Sequence, residues 1–234
     1  MPRYKRVLLK LSGELFSDSS GNSLNSRNVR IVAKAIKAVL RKNVEVAIVV
    51  GAGNIFRARF VKDAAIDRVA ADHMGMMGTI INALALESAL EKEGIEARVL
   101  SAIPMPEIVE DYRHKRALKH FKNKRVVIFA GGTGRPFFTT DTAAVVRALE
   151  IGADVVLKAS DVDGVYSADP HKNKNATKYT TLSFAEALRK KLKVMDATSF
   201  ALAQENHLPI VVFKFSPANL LKAVAGRSVG TIIK

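Results

Sequence analysis

Residues 125–141 read RVVIFAGGTGRPFFTTD, and residues 142–149 then follow a helical pattern. The stretch joins an apolar, β-branched run to a loop that contains three glycines and one arginine. Glycine lets a backbone approach a ligand closely or adopt a positive φ, and a helix start offers free N–H groups at the positive end of its dipole. Because Arg135 adds a forked donor that suits phosphate or carboxylate, the stretch predicts an anion site.

The simpler interpretation of this stretch is a well-capped turn between a strand and a helix. Thr139, Thr140 and Asp141 are all residue types that cap the start of a helix. Capping alone requires neither the three glycines nor the arginine. The anion site is therefore the favoured hypothesis, with the identity of the anion still open.

Further apolar runs alternate with helical patterns along the chain, and several are apolar throughout, which is typical of parallel strands buried on both faces. This alternation predicts an α/β fold, a three-layer αβα sandwich around a central, mostly parallel, twisted sheet. The amino-acid composition is continuous along the chain, and no segment is long enough to be a linker between domains. We therefore expect a single domain over residues 1–234. The predicted strands are residues 7–11, 44–50, 96–100, 125–130, 154–158, 209–213 and 229–233.

The longest helical pattern covers residues 76–93 and stops before Gly94, a favourable residue just after a helix. Asp72 lies in front of this pattern, and its default role is to cap the helix; the alternative is a hydrogen bond to a ligand hydroxyl. A basic helix is predicted over residues 108–121 and a long polar connection over residues 159–181. Shorter helices are predicted over residues 29–40, 142–149 and 197–206, with two more starting near residues 183 and 217.

Composition bounds the possible functions. The 234 residues include no cysteine, which excludes disulfides, thiolate metal sites and cysteine nucleophiles and fits the cytoplasm. Apolar content of 48% argues against disorder. The first residues show no signal-peptide pattern, and no apolar run approaches the roughly 18 residues of a membrane span. We therefore expect a cytoplasmic protein without a membrane partner.

The formal net charge of +15 indicates a polyanionic partner such as a nucleotide or a nucleic acid. Basic clusters occur at residues 3–6, 113–124, 172–178 and 189–193, where a solvated surface is the default interpretation. Tryptophan is absent and aromatic content is 6%, so platforms for stacking single-stranded bases are scarce. Nucleic acid is not expected as the main partner.

Phosphate-binding residue types follow four of the predicted strands. A parallel sheet places these strand ends around one crevice, where α/β proteins bind ligands. Together they supply Lys10, Arg57, Arg135 and Lys158, a charge that suits more than one phosphate. The four segments are residues 10–13, 51–57, 131–135 and 158–164.

Several familiar motifs are missing from the chain. No G-x-x-x-x-G-K-[ST] occurs, and the glycines at 51 and 53 lack the third member of G-x-G-x-x-G. No His, Asp or Glu cluster has metal-ligand spacing, and no G-x-S-x-G elbow is present. Phosphoryl transfer is still compatible with the sequence, because the protein has mainly to position the reactants and stabilise charge. Mg²⁺ usually binds the donor phosphates.

Lys10 and Lys158 are the leading candidates for this chemistry, because each is a cation at the end of an otherwise buried strand. An unpaired buried ammonium is costly, so an anionic partner is implied; the alternative is a lysine that extends to solvent. Asp141 is expected to orient these lysines or hold metal-bound water, if it is not simply a helix cap. No residue is predicted to bind metal directly.

Other candidates have ordinary alternatives. Tyr166 could cover a nucleotide base, and Asp169 could bind a ribose or a metal-bound water. Both residues also fit a turn that ends at Pro170. Met74, Met76 and Met77 are expected to pack in a core or an interface rather than to bind a cofactor.

These motifs resemble the amino acid kinase superfamily and, within it, the bacterial UMP kinases, nearly end to end. The resemblance is carried by residues 10–14, 53–57, 72–76, 132–141, 158–166 and 193–196. It implies transfer of the ATP γ-phosphate to UMP with Mg²⁺, giving UDP and ADP. It also implies a cytoplasmic homohexamer in pyrimidine nucleotide biosynthesis, with UTP as a possible inhibitor.

The resemblance also implies roles for individual residues, with the N-terminal half mainly on the UMP side and the C-terminal half mainly on the ATP side. Catalysis would involve Lys10, Arg57, Asp141 and Lys158. ATP would be bound by Lys10, Leu11, Ser12, Gly13, Gly53, Arg57, Ser160, Asp161, Tyr166 and Asp169. UMP would be bound by Ala52, Asp72, Thr133, Gly134, Arg135, Pro136, Phe137, Phe138, Thr139 and Thr140.

The chain departs from the family pattern at a few positions. Ala52 and Ala58 stand where the family has glycine, and the Ala52 methyl narrows the approach to the UMP phosphate. Residues 17–25 lack the segment tied to GTP activation, so the resemblance does not extend to that effector.

Two other functions are weighed against a UMP kinase. A sister kinase of the superfamily would act on a carboxylate or a carbamate, which the phosphate-binding residues of the acceptor half disfavour. A non-catalytic nucleotide sensor or nucleic-acid-binding regulator would explain the charge of +15, but it leaves the paired lysines unused.

Overall fold

The computed structural model describes residues 2–20, 22–56, 66–168, 173 and 175–234, and structural statements concern those residues. Apolar, β-branched runs form the strands, which lie at or near the predicted positions. They are β1 (Arg6–Leu11), β2 (Glu45–Val50), β3 (Ala97–Ser101), β4 (Glu110–Asp111), β5 (Val126–Ala130), β6 (Val155–Ser160), β7 (Val165–Tyr166), β8 (Lys178–Tyr179), β9 (Thr181–Leu182), β10 (Ile210–Lys214) and β11 (Thr231–Ile233).

Within the described residues, one large sheet has the order β4-β3-β5-β2-β1-β6-β10-β11-β9, and β7 pairs with β8 in a separate hairpin. All neighbours in the large sheet are parallel except β10 and β11. The predicted mostly parallel sheet is confirmed. After β5 the chain crosses to the far side of β1 to form β6, so the strand order switches between β1 and β6.

Helices cover both faces of the sheet, as expected for strands that are buried on both sides. Apolar residues of α1, α2 and α7 pack on one face, and those of α3, α4, α5 and α6 on the other. This arrangement is the predicted three-layer sandwich. The helices are α1 (Ser26–Leu40), α2 (Arg68–Lys92), α3 (His114–Lys122), α4 (Thr140–Glu150), α5 (Phe184–Arg189), α6 (Ala197–Glu205) and α7 (Pro217–Val224).

The long helix α2 begins earlier than predicted. Its cap is Asp67, whose side chain accepts a hydrogen bond from the Ala70 backbone N–H, so the prediction of Asp72 as the cap is wrong. Residues 68–71 lack the apolar spacing used to place the start, but Arg, Val and Ala are all compatible with a helix once a cap precedes them. Asp72 therefore lies inside the helix, where its side chain can face a ligand cavity.

Two other predicted segments also differ. The basic helix is shorter than residues 108–121, because Glu110 and Asp111 extend the sheet by pairing with β3 before α3 begins. The connection over residues 159–181 is not featureless, since it contains the β7–β8 hairpin.

Helix α2 has 25 residues and is long and apolar enough, by length and composition, to cross a membrane. Core helices of soluble proteins meet the same criterion, and 44% of its most apolar window is buried inside the fold. Its buried side includes Ile80, Ala83, Leu86 and Leu90, which pack with β1 and β2 in one core layer.

Candidate active site

Lys10 and Lys158 are exact register partners on the adjacent parallel strands β1 and β6. Neighbouring strands lie about 4.8 Å apart, and paired residues share a face of the sheet. Both lysines are buried, and both lie in the carboxyl-terminal halves of their strands, next to the switch in strand order. The fold thus holds two ammonium groups side by side where α/β proteins bind ligands.

Asp141, in the first turn of α4, joins the two lysines. Its Oδ1 lies 3.0 Å from Lys10 Nζ, and its Oδ2 accepts a hydrogen bond from Lys158 Nζ at 2.6 Å. Lys158 Nζ also donates to the Val194 carbonyl. Two cations therefore share one carboxylate, and the cluster keeps a net positive charge that favours an anionic ligand.

Burial and charge act in opposite directions on the pKa values of this cluster. Burial raises the pKa of Asp141, but the Lys10 and Lys158 ammonium groups outweigh it and lower the pKa to about 2. Burial lowers the pKa of Lys158 from 10.5 to about 8, against the opposing effect of the Asp141 carboxylate. Asp141 is thus ionised at neutral pH, whereas Lys158 is a cation that loses its proton readily.

Two cavities meet at Lys10 and Ser12. The larger has a volume of about 670 Å³ and extends from the end of β6 along Ser160, Asp161 and Tyr166. The smaller has a volume of about 360 Å³ and lies between the ends of β1 and β2, the start of α4 and the second turn of α2. A third cavity of about 730 Å³ lies between α1 and α2, away from both lysines, and we assign it no role in the site.

Close packing of backbones shapes the floor of the smaller cavity. A Cβ atom on Gly13 would lie 2.3 Å from Asn54 Oδ1 and 2.8 Å from the Gly51 carbonyl oxygen, so only glycine fits there. Asn82 of α2, fully buried, donates hydrogen bonds of 2.7 Å to the Gly51 carbonyl and to Asn54 Oδ1. The loop after β2 is therefore fixed to both β1 and α2.

The methyl group of Ala52 is accommodated beside α2. A Cβ atom on Gly78 would lie 2.9 Å from Ala52 Cβ, so the absence of a side chain at Gly78 leaves room for this methyl. Ala52 still lines the smaller cavity.

The glycine-rich loop after β5 adopts the positive-φ turns that its glycines allow. Gly131, Gly132 and Gly134 have φ values of 73°, 58° and 74°, a region that favours glycine. The Gly131 N–H donates to Thr79 Oγ1 of α2 at 2.8 Å. Thr139 caps α4 by accepting from the N–H groups of Asp141 and Thr142.

Asp72 holds the outer part of this loop. Its Oδ2 accepts a 2.8 Å hydrogen bond from the Phe137 N–H and lies 2.9 Å from Arg68 Nε. Phe137 has a φ of 70°, unusual for a bulky residue, and its exposed ring lies under the Arg68 guanidinium. Asp72 thus couples α2 to the loop, and it also lines the smaller cavity.

The predicted site residues occupy these two cavities unevenly. Gly13 and Gly53, expected on the ATP side, line the smaller cavity near its junction with the larger one. Leu11 is fully buried, so only its backbone can face a ligand. Gly132, Phe138, Thr139 and Thr140 line the smaller cavity, but the rest of the loop does not; Thr133, Gly134, Arg135, Pro136 and Phe137 lie outside the lining. The predictions for Arg57 and Asp169 fall outside the described residues.

Two sets of residues near the site were not predicted from the sequence. Asp196, which caps α6, accepts hydrogen bonds from Thr142 Oγ1 at 2.8 Å and from Thr139 Oγ1, and so links α6 to the start of α4. Residues 190–194 line the larger cavity, although the basic cluster there was interpreted as a solvated surface. The sequence signal for this region was the motif at residues 193–196, but its residue types did not indicate a chemical role.

The comparisons with known proteins agree with this geometry. The model of the amino acid kinase family matches residues 5–214. A solved UMP kinase from Bacillus anthracis is 42% identical, covering 100% of this chain and 97% of its own, with a TM-score of 0.95. A UMP kinase from Ureaplasma parvum is 38% identical, with 99% of each chain covered and a TM-score of 0.92. A uridylate kinase from Archaeoglobus fulgidus is 32% identical over 100% of each chain, with a TM-score of 0.76.

Paired lysines at the switch between β1 and β6, two cavities that meet beside them, and a family match over most of the chain all lead to one assignment. The chain belongs to the amino acid kinase family.

Proposed function

We propose that this protein is a UMP kinase that transfers the γ-phosphate of ATP to UMP, giving UDP and ADP. The observation that carries the proposal is the pair of cavities that meet at Lys10 and Ser12, with Lys158 beside the junction. Two ligands placed in them would bring their phosphates together at the buried cations. The likeness to solved proteins named UMP kinase or uridylate kinase supports uridylate as the acceptor.

In this proposal ATP occupies the larger cavity and UMP the smaller one. An oxygen of the UMP phosphate attacks the γ-phosphorus, and the bond from that phosphorus to the bridging oxygen of ADP breaks. Negative charge is concentrated on the transferred group and on the departing oxygen. Lys10 and Lys158 would stabilise that charge, and the N-terminus of α4 would add the positive end of its dipole at the acceptor side.

No general base is required for this reaction. A phosphate monoester loses its second proton near pH 6, so UMP already offers an anionic oxygen at neutral pH. Asp141, with a pKa of about 2 and two ammonium partners, is a poor proton acceptor. We assign it the role of positioning Lys10 and Lys158.

Mg²⁺ fits this site only together with the nucleotide. Among the described residues, no group of three or more His, Asp or Glu could hold a metal ion, and Asp141, the carboxylate between the two lysines, already has both of them as partners. The phosphates of ATP would supply the oxygen ligands, and the ion would neutralise charge on them during transfer.

The remaining assignments follow from this division of the site. Residues 1–234 form one domain whose N-terminal half contributes mainly to the UMP side and whose C-terminal half contributes mainly to the ATP side. Asp72, held against the loop after β5, would position UMP, and Ser160, Asp161 and Tyr166 would contact the ATP nucleoside. Arg57 is proposed to contact the transferred phosphates.

The lowered pKa of Lys158 predicts a pH dependence. Because only the ammonium form stabilises the phosphates, kcat/KM should fall above about pH 8 as Lys158 in the free enzyme loses its proton. Bound phosphates favour the cation, so the fall in kcat at saturating ATP should occur at higher pH. Steady-state rates from pH 6 to 10 measure both curves, and coincident falls would contradict the role of Lys158.

A substrate panel tests the proposed function. ADP release is measured with ATP and Mg²⁺ in the presence of UMP, CMP, N-acetylglutamate, aspartate or carbamate. Turnover should be highest with UMP. Preference for a carboxylate or for carbamate would instead support a sister kinase, and no turnover with any acceptor would support a nucleotide sensor. Addition of UTP and GTP to the same assay tests inhibition and activation.

We also propose a homohexamer that works in the cytoplasm in pyrimidine nucleotide biosynthesis. One face of α2 exposes Val69, Met74, Met77 and Ile81, with exposed fractions of about 40–46%. Apolar side chains at helical spacing on an exposed face are typical of an interface between subunits. Contact between such faces of two copies would supply one of the interfaces that a hexamer needs.

Replacement of Met77 and Ile81 by glutamate should therefore break the assembly. The expected result is a smaller mass in light scattering after gel filtration, with the far-UV circular dichroism spectrum retained. Ile108, which is 55% exposed outside α2, provides the control, and Ile108→Glu should leave the mass unchanged. An unchanged mass in the double variant would rule out this face as an interface.

A further inference from the structure

Cations also collect at the edge of the sheet opposite the candidate active site. Parallel strands place all their starts at that edge, so the turns before β1 and β2, the end of α7 and the end of the antiparallel β11 meet there. We define the amino-edge patch as the exposed side chains Arg3, Lys42, Lys222, Arg227 and Lys234.

These five side chains form one continuous surface. One cavity of about 300 Å³ is lined by Arg3, Arg227 and Lys234, and another of about 320 Å³ by Lys42, Lys222 and Arg227. Arg227 belongs to both linings and joins them. The Arg3 side chain crosses the turn at Gly226, where a Cβ atom would lie 2.4 Å from Arg3 Cδ.

None of the Asp or Glu side chains that the structure describes lines either of the two cavities of the patch. Within the described ranges, none of its five cations forms an ion pair, whereas Arg6 at the same edge pairs with Glu45 at 2.7 Å. The proposed kinase site uses other lysines, at the opposite edge of the sheet. The patch therefore holds part of the +15 net charge that nucleotide binding leaves unexplained.

We propose that the amino-edge patch binds the phosphate backbone of double-stranded nucleic acid, independently of base sequence. From the start of β2 to the end of β11 the patch crosses four strand spacings, roughly 19 Å. A duplex presents one negative charge per about 1.7 Å of its axis, so roughly eleven phosphates, over about five to six base pairs, lie within this width. The patch can face only one side of the duplex, so its five cations suit the roughly half of these phosphates that lie on that side.

Two features distinguish a duplex from other polyanions. Single strands are bound by stacking on exposed aromatic rings, but Tyr4, the aromatic side chain in the patch linings, is buried. Peripheral membrane proteins insert apolar side chains beside their cations. Among the described residues, no exposed large apolar side chain lines either cavity.

The test measures binding of the full-length protein to a fluorescent 30-base-pair DNA duplex by anisotropy, over a range of salt concentrations. The patch variant is Lys42→Glu/Lys222→Glu/Arg227→Glu. The control variant is Arg27→Glu/Arg113→Glu/Lys115→Glu, three exposed cations outside the patch. Each triple changes the charge by −6, so both have a net charge of 15 − 6 = +9. Melting temperature and kinase activity report whether both variants are folded.

The wild-type protein should bind with a Kd in the micromolar range, and affinity should fall steeply with salt. The patch variant should bind at least tenfold more weakly at 100 mM salt, with a salt slope reduced by about 3, whereas the control variant stays within threefold of wild type. Saturating ATP and UMP should not displace the duplex.

Several results would overturn the proposal. Equal losses in the two variants would show that net charge alone drives binding, and displacement by nucleotides would place the duplex in the kinase site. Tighter binding to phosphatidylserine vesicles than to the duplex, lost in the patch variant, would assign the patch to membranes. Absence of wild-type binding at 100 mM salt would refute it outright. None of these outcomes depends on the identity of the phosphate acceptor.

Discussion

Replacing Lys158 with alanine should lower kcat about 10³-fold and change the KM for UMP less than threefold, because the ammonium acts on charge that develops during transfer. Lys158 is buried at the junction of the two cavities and lies beside Asp141 rather than in the smaller cavity. Its removal should therefore reduce stabilisation of the transition state more than binding of the acceptor. Steady-state kinetics with UMP varied at saturating ATP measure both constants.

Lys34→Ala, which removes an exposed lysine from α1, is the matched control and should retain wild-type kinetics. Lys158→Arg tests whether charge alone suffices. The larger, planar guanidinium should recover little activity, because the site encloses a compact ammonium with two oxygen partners. A kcat within tenfold of wild type in Lys158→Ala would show that Lys158 is not part of the transfer site.

Replacing Asp141 with asparagine should lower the free energy of unfolding by about 3 kcal/mol, since breaking a buried ion pair leaves uncompensated charge. Here two buried ammonium groups would lose their shared carboxylate. Urea denaturation measures the loss. Glu186→Gln, which removes a half-buried carboxylate paired with the exposed Lys190, is the control and should change stability by less than about 1 kcal/mol.

The same substitution should alter the pH profile in a defined direction. The Asp141 carboxylate raises the pKa of Lys158, so its loss lowers that pKa further. The fall in kcat/KM should then begin below pH 8, and saturating ATP should restore more stability to Asp141→Asn than to wild type. A profile that does not move, together with unchanged stability, would disprove the positioning role of Asp141.

The sheet and the lysine pair were predictable because both depend on local sequence. A continuous apolar run is buried on both faces wherever it lies in a parallel sheet. A lysine at the end of such a run must emerge at the carboxyl edge, where Lys10 and Lys158 are found. Gly13 and the glycines after β5 could likewise be expected from turn chemistry, and the structure shows what each one contacts.

Contacts between distant segments could not be predicted. Thr142 and Asp196 are 54 residues apart, and each also has an ordinary role in its own helix, so no local pattern reveals their hydrogen bond. Asp72 resembled a helix cap because the first turn of α2 lacks an apolar pattern. Its contact with the Phe137 N–H, 65 residues away, exists only in the folded chain.

The position of β1 between β2 and β6 has a consequence for synthesis of the protein on the ribosome. Lys10 is made before its register partner on β6, which follows 158 − 10 = 148 residues later. At about 5–20 residues per second, the interval is roughly 7–30 s. During that time the edge of β1 that pairs with β6 is open, and for most of it Lys10 lacks the Asp141 carboxylate, which follows 141 − 10 = 131 residues later. The phosphate site can therefore assemble only after β6 has been translated and the two halves of the sheet have joined.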